Sequence, residues 1–244
     1  MMKSLLLATA AVATFAAAPA LAQDAAGSIG VQYSDTDVDA PSNLETWSLD
    51  GVAAMPAFGA WTLTLAADID RQEFFGDTDT SASGSVGLST MMGSDARIGG
   101  FVAAADAGDE TAWTVGFRGQ KYLAGSTLTG VVAYTDVFDD NILTLSGDAA
   151  FYVTPSLRLN AGVAYDKVDD ADFDAWTYNV GAEYDLGSSP FALTAGYAKT
   201  DLDGGDIDTW SLGVRYTFGG NQQARDRAGA GASGVGLGSL LNIL

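Results

Sequence analysis

The 244-residue sequence contains no histidine and no cysteine. That excludes a Ser-His-Asp triad, a Cys-His nucleophile, the usual zinc and haem ligand sets, and any structural disulfide. Basic residues are scarce, 11 Lys and Arg against 31 Asp and Glu, for a net charge of −20. A nucleic-acid backbone binder needs clustered Lys and Arg, so nucleic acid is not an expected partner. Proline is also sparse, with five residues. Beyond residue 22 no stretch approaches the ~18 consecutive apolar residues of a spanning helix. Disorder does not fit either, because 48% of the residues are hydrophobic and 10% aromatic. Thirty glycines with many Thr and Ser point to β-structure rich in turns.

Residues 1–22 read as a secretory signal. Lys3 supplies the charged start, residues 5–18 are uncharged and apolar, and Ala20-Leu21-Ala22 offers small residues for cleavage before Gln23. From residue 26 on, segments of about ten residues alternate apolar with polar or small side chains, the period of a two-faced strand. Twelve such segments are expected: 27–34, 44–54, 60–70, 80–90, 96–106, 111–122, 126–135, 142–153, 157–166, 175–186, 190–199 and 208–218. The last is the clearest, with Trp210, Leu212, Val214, Tyr216 and Phe218 against Ser211, Gly213, Arg215 and Thr217. In 96–106 the run Ile98-Gly99-Gly100-Phe101-Val102 leaves the face assignment open.

The polar face is unlike the Lys- and Glu-rich surface of a soluble sandwich. It is mostly Thr, Ser, Gly, Ala and Asn, with sparse charges at Arg118, Asp148, Arg158, Glu183 and Arg215. That suits a wet or polar-filled lumen. The three arginines either offer positive charge to a pore or pair with Asp148 and Glu183 and fill it; spacing does not choose between these. On the apolar face the aromatics gather near the segment ends. Trp47, Trp113, Trp176 and Trp210 mark one level, and Trp61, Tyr216 and Phe218 the other, as expected of two interfacial girdles. Thr46-Trp47-Ser48-Leu49, Ala112-Trp113-Thr114-Val115, Ala175-Trp176-Thr177-Tyr178 and Thr209-Trp210-Ser211-Leu212 repeat one pattern, an interfacial Trp opening a strand.

The connections alternate in kind. One set is short and rich in Gly, Pro and Ser; the other is expected to be mostly longer and holds most of the acids. A membrane barrel has reason to sort its loops so, because its two ends face different compartments. Within the acidic set, Asp35-x-Asp37-x-Asp39 and Asp201-x-Asp203 have the alternate-Asp spacing of calcium loops. They lack the Gly and Glu that complete an EF-hand, and the competing reading is a solvated acidic rim.

Together these features resemble the Gram-negative outer-membrane β-barrels of the porin kind over residues 23–218. The segment Trp210-Ser211-Leu212-Gly213-Val214-Arg215-Tyr216-Thr217-Phe218 resembles the closing strand of that family, ending in Phe. The resemblance implies an all-β fold, a transmembrane antiparallel up-and-down barrel of twelve strands left after the signal peptide is cleaved. It implies location in the outer membrane, and outer-membrane lipid and the assembly machinery that reads the closing strand as partners. Divalent ions bridging the acidic rim to lipopolysaccharide are a further expectation. The departures are that Phe218 is followed by 26 residues, and that no loop is long enough to constrict the lumen as in large trimeric porins. Residues 219–244 are expected to be a flexible Gly-rich tail; the competing reading folds them back into the lumen or docks them on a partner.

The function expected is passive diffusion of ions and small hydrophilic solutes, with cations preferred because of the acidic mouth. The alternative is a structural or adhesive barrel with a filled lumen. An enzyme is not expected, since barrel hydrolases generally want His as base.

Overall fold

The computed structural model describes residues 25–38, 43–108, 110–137, 140–169, 173–202 and 205–231. The signal segment 1–22 and the end of the tail, 232–244, lie outside the described residues. Twelve strands form one closed barrel: β1 (Ala26–Asp37), β2 (Leu44–Pro56), β3 (Trp61–Phe74), β4 (Asp77–Met92), β5 (Ala96–Ala107), β6 (Glu110–Tyr122), β7 (Ser126–Val137), β8 (Asp140–Thr154), β9 (Leu157–Val168), β10 (Phe173–Asp185), β11 (Phe191–Leu202) and β12 (Gly205–Phe218). Each pairs antiparallel with its neighbour in sequence, and β1 pairs with β12 from Gly27↔Phe218 to Asp37↔Asp208, which leaves no free edge. Strands of 12 to 16 residues, tilted as barrel strands are, exceed the ~25 Å apolar band of an outer membrane.

The barrel is inside out relative to a soluble protein. Val31, Val102, Val115, Leu145, Val180, Leu212 and Val214 are exposed on its outer wall. The buried set includes Ser28, Thr114, Thr127, Thr144, Asp166 and Thr177, all facing inward. Apolar side chains outside and hydrogen-bonded polar ones inside minimise free energy only where the outer solvent is hydrocarbon. The segment left open by sequence resolves through Arg97, only 6% exposed. Arg97, Gly99 and Phe101 line a cavity inside the barrel, while Val102 faces out.

The acidic connections are shorter than expected. β3 and β4 are joined by Phe75 and Gly76 alone, and most of the acids read as loop lie on strand ends. The ladder continues because Thr, Ser and apolar partners keep alternating with the acids, most of which project into water beyond the membrane, while Asp70 and Asp166 turn inward and accept from Ser48 and Thr144. Asp35↔Glu45 and Lys199↔Asp208 are cross-strand partners, and Lys199 bonds Asp206 at 2.5 Å. The girdles pair across hairpins at this end. Tyr33 packs on Trp47 with ring centroids 5.2 Å apart, Tyr165 on Trp176 at 4.9 Å and Tyr197 on Trp210 at 4.5 Å. Their phenols reach the rim: Tyr165 donates to Asp174 and Tyr197 to Asp208. The repeated Trp motif now has a mechanical reading. Trp113 and Trp176 face lipid, and the next residue turns inward to pair its hydroxyl across the hairpin, Thr114 with Thr135 and Thr177 with Thr200.

The closing seam depends on a glycine. A Cβ on Gly27 would lie 2.0 Å from the Val52 carbonyl oxygen and 2.8 Å from Cζ of Phe218. Because one of these neighbours is backbone, the strand itself must shift. Gly27→Val is expected to cost about 1–3 kcal/mol of barrel stability, read by guanidinium unfolding in lipid vesicles. An unchanged midpoint would show that the seam yields freely.

Candidate functional site in the barrel lumen

The inward face is layered in three tiers. At mid-height the wall of β2 and β3 is acidic. Asp50 and Asp68 are cross-strand partners, as are Ser48 and Asp70, and the Ser48 hydroxyl donates to Asp70 at 2.5 Å. Arg215 on β12 bonds Asp50 at 2.7 Å. This reach spans β1, and it is possible because Gly30, the β1 residue in register with both, has no side chain: a Cβ there would meet Arg215 Cγ at 2.8 Å. Further round the barrel the wall carries arginines. Arg118 on β6 lies over the ring of Phe101, 5.6 Å from its centroid, beside a cavity of about 50 Å³ that Arg97, Ser85, Ser89 and Gln120 also line. Arg158 on β9 is close enough to Asp148 on β8 to act on it electrostatically.

Towards the acidic end the inner wall turns apolar. Ala107, Ala112, Val137, Ile142 and Ala175 form a buried cluster joined by Val168 and Leu202. One residue comes from each of β5 to β11 in turn, so the cluster is a collar round part of the mouth. A solute entering there meets acids, then hydrocarbon, then the charged waist.

The short-turn end is occupied by the chain itself. After β12 the chain forms a short helix α1 (Gln222–Arg225) and a π-helical turn (Asp226–Ala230), both packed inside the barrel. Arg225 bonds Glu183 at 2.5 Å and approaches Asp185 at 3.5 Å. Asp226 accepts from the Tyr152 hydroxyl at 2.5 Å and from Gln120 at 3.3 Å. The expectation of a flexible tail from Gly219 therefore differs from what residues 221–231 do. Inside the lumen their polar groups find partners that glycine-rich composition does not foretell. Outside, on the same rim, the Lys121 ammonium 2.5 Å from Asp95 holds that turn carboxyl below its ordinary value. The attraction is present at neutral pH and is lost as pH falls through that lowered value.

Of the lumen residues expected from sequence, Arg215 and Glu183 are paired, but with Asp50 and Arg225 rather than with each other. Asp148 and Arg158 act on one another, and Arg118 stands over Phe101. The reading missed Asp50, Asp68, Asp70, Arg97, Tyr152 and Asp226. Asp68 and Asp70 could have been found, since they lie on the polar face of the cleanest early strand. Of the candidate calcium residues, Asp39 and Asp203 lie outside the described residues, Asp35 accepts from Asn43 at 2.7 Å, and Asp201 is the register partner of Asp206. Among the described residues no group of three or more acids is placed to hold a metal ion.

The outer membrane protein beta-barrel domain family matches residues 8–218. The chain belongs to this family. No match was found among curated proteins. Solved structures share the barrel at low identity. The KdgM porin, in complex with disordered oligogalacturonate, is 13% identical with a TM-score of 0.56, covering 78% of this chain and 99% of its own. The NanC porin is 8% identical with a TM-score of 0.60, covering 78% and 98%. An outer-membrane channel from Pseudomonas putida F1 is 11% identical with a TM-score of 0.58, covering 80% and 95%. As a member of the outer-membrane β-barrel family the chain resides in the outer membrane, and its exposed Val, Leu and Trp side chains meet lipid. The hydrophilic inward face is the site through which such a barrel can act.

Proposed function

We propose that the protein is a porin-like channel for passive diffusion of ions and small polar solutes, with cations preferred, and that it is not an enzyme. The observation that carries this reading is the inward face. It is a hydrophilic wall with acids on β2 and β3 and Arg97, Arg118 and Arg158 further round on β5, β6 and β9, inside a cylinder whose outside is apolar. Two features support cation preference. Exposed acids such as Asp77, Asp79, Glu110 and Asp136 crowd the rim, and the inward bases are matched by Asp50, Asp68, Asp70, Asp148, Glu183, Asp185 and Asp226. A negative mouth concentrates cations within a Debye length of about 8–10 Å at physiological salt. Outer-membrane assembly machinery and lipopolysaccharide are the further partners proposed, the latter through divalent ions at the rim.

A second reading, a structural or adhesive barrel with a filled lumen, is favoured by the Arg225–Glu183 pair and the helix behind it. Planar bilayers separate the two. Discrete conductance steps, with a reversal potential of cationic sign in a salt gradient, are expected of the channel. Sealed bilayers at all voltages would leave the filled barrel.

A further inference from the structure

We propose that residues 219–231 are an autoinhibitory plug. On this inference, which rests on the channel reading, the segment stands across the short-turn end of the lumen and the conduit conducts fully only when it leaves.

The contacts of the segment run round the barrel rather than along one wall. Arg225 holds Glu183 and Asp185 on β10, and Gln222 donates to the Glu183 carbonyl at 3.0 Å. Asp226 takes Tyr152 on β8 and Gln120 on β6. Arg97 on β5 donates to the Arg227 carbonyl at 2.8 Å, and Thr64 on β3 to that of Gly229 at 3.2 Å. Ala230 and Ala228 pack on Ala26, Val52 and Ala54 of β1 and β2. A segment that touches β1, β2, β3, β5, β6, β8 and β10 at once lies across the opening.

It is also the right size. Twelve strands about 4.8 Å apart, tilted by about 40°, close into a cylinder roughly 24 Å across between backbones. Inward side chains of about 5 Å on each side leave roughly 14 Å free, and a helix with its side chains is about 10–12 Å wide. One helical turn therefore takes up most of that cross-section.

The attachment allows release. Gly219 and Gly220 have φ of 83° and 112° and turn the chain from the end of β12 back into the barrel. A Cβ on Gly219 would sit 2.4 Å from the Ala26 Cα, so the bend depends on glycine. Most of the anchors are hydrogen bonds and an ion pair that water can replace, and the apolar patch is made of small side chains. The wall residues are held by the barrel ladder whether the segment is in place or not.

The test compares the full chain with one ending at Gly219, each also carrying Thr64→Cys, the only thiol in a protein without cysteine. Ending the chain should raise single-channel steps roughly two- to fourfold, the ratio of the open cross-section to that left beside a helix. A hydrophilic maleimide should label Thr64→Cys rapidly in the shortened chain and slowly in the full one. In the full chain Arg225→Ala should move both readings the same way, which guards against failed assembly of the shortened form. Equal steps with equal labelling would overturn the plug while leaving the channel. Silent bilayers with the labelling difference intact would remove the channel and keep the plug.

Discussion

Leu212→Arg is expected to lower the stability of the lipid-embedded barrel by about 1–3 kcal/mol, the cost of a guanidinium on the lipid face between the bilayer midplane and the interface. Leu212 is 66% exposed and lies between Trp210 and Tyr216, which stand at opposite levels of the outer wall of β12. In a soluble protein so exposed a position would tolerate the change within about 0.5 kcal/mol. The sign and size of the effect thus report which solvent the side chain meets. Snorkelling towards the rim lowers that cost, because Leu212 is one outward position from Trp210 and the register partner of Tyr33, but the side chain still starts from the lipid face. Guanidinium unfolding in lipid vesicles, followed by Trp fluorescence, measures it. A change inside 0.5 kcal/mol would mean that Leu212 does not face hydrocarbon, and the inside-out arrangement would fall with it.

The same arrangement explains what was legible from residues alone. Strands such as 60–70, 157–166 and 208–218 declare both faces because lipid demands bulk on one side and the lumen tolerates small polar groups on the other. All twelve segments stand where alternation puts them. Segment 96–106 is silent because the adjacent Gly99 and Gly100, one on each face, erase the contrast, and because Phe101 faces the lumen, where it lies under Arg118. The lengths of the acidic connections were misjudged for a related reason. Acids count against strand propensity, yet a strand end beyond the membrane costs nothing to charge when its side chains reach water. Ion pairs needed cross-barrel distances that no spacing encodes. Arg215 finds Asp50 because the barrel closes β12 onto β1 and Gly30 opens the way. Arg225 finds Glu183 because the chain reverses at Gly219.

Thinning the rim charge by Asp77→Asn, Asp79→Asn, Glu110→Gln and Asp136→Asn together is expected to lower the cation preference while leaving the barrel folded. All four are exposed and lie on β4, β6 and β7, above the waist. A mouth potential of about two kT enriches cations roughly sevenfold over bulk, and surface potentials of that order arise from such charge clusters. Removing four of these charges should lower the cation-to-anion permeability ratio at 0.1 M salt, as read by reversal potentials. The ionic-strength dependence decides where the preference originates. Rim charges sit in water and act over about 10 Å at 0.1 M but about 3 Å at 1 M, so a rim-set preference fades in strong salt even in the unaltered protein. Charges at the waist lie in a lower dielectric, less reached by salt, so a preference set by Asp50, Asp68 and Asp70 would persist at 1 M and survive the fourfold change. Persistence of that kind would move the selectivity filter from the mouth to the wall of β2 and β3.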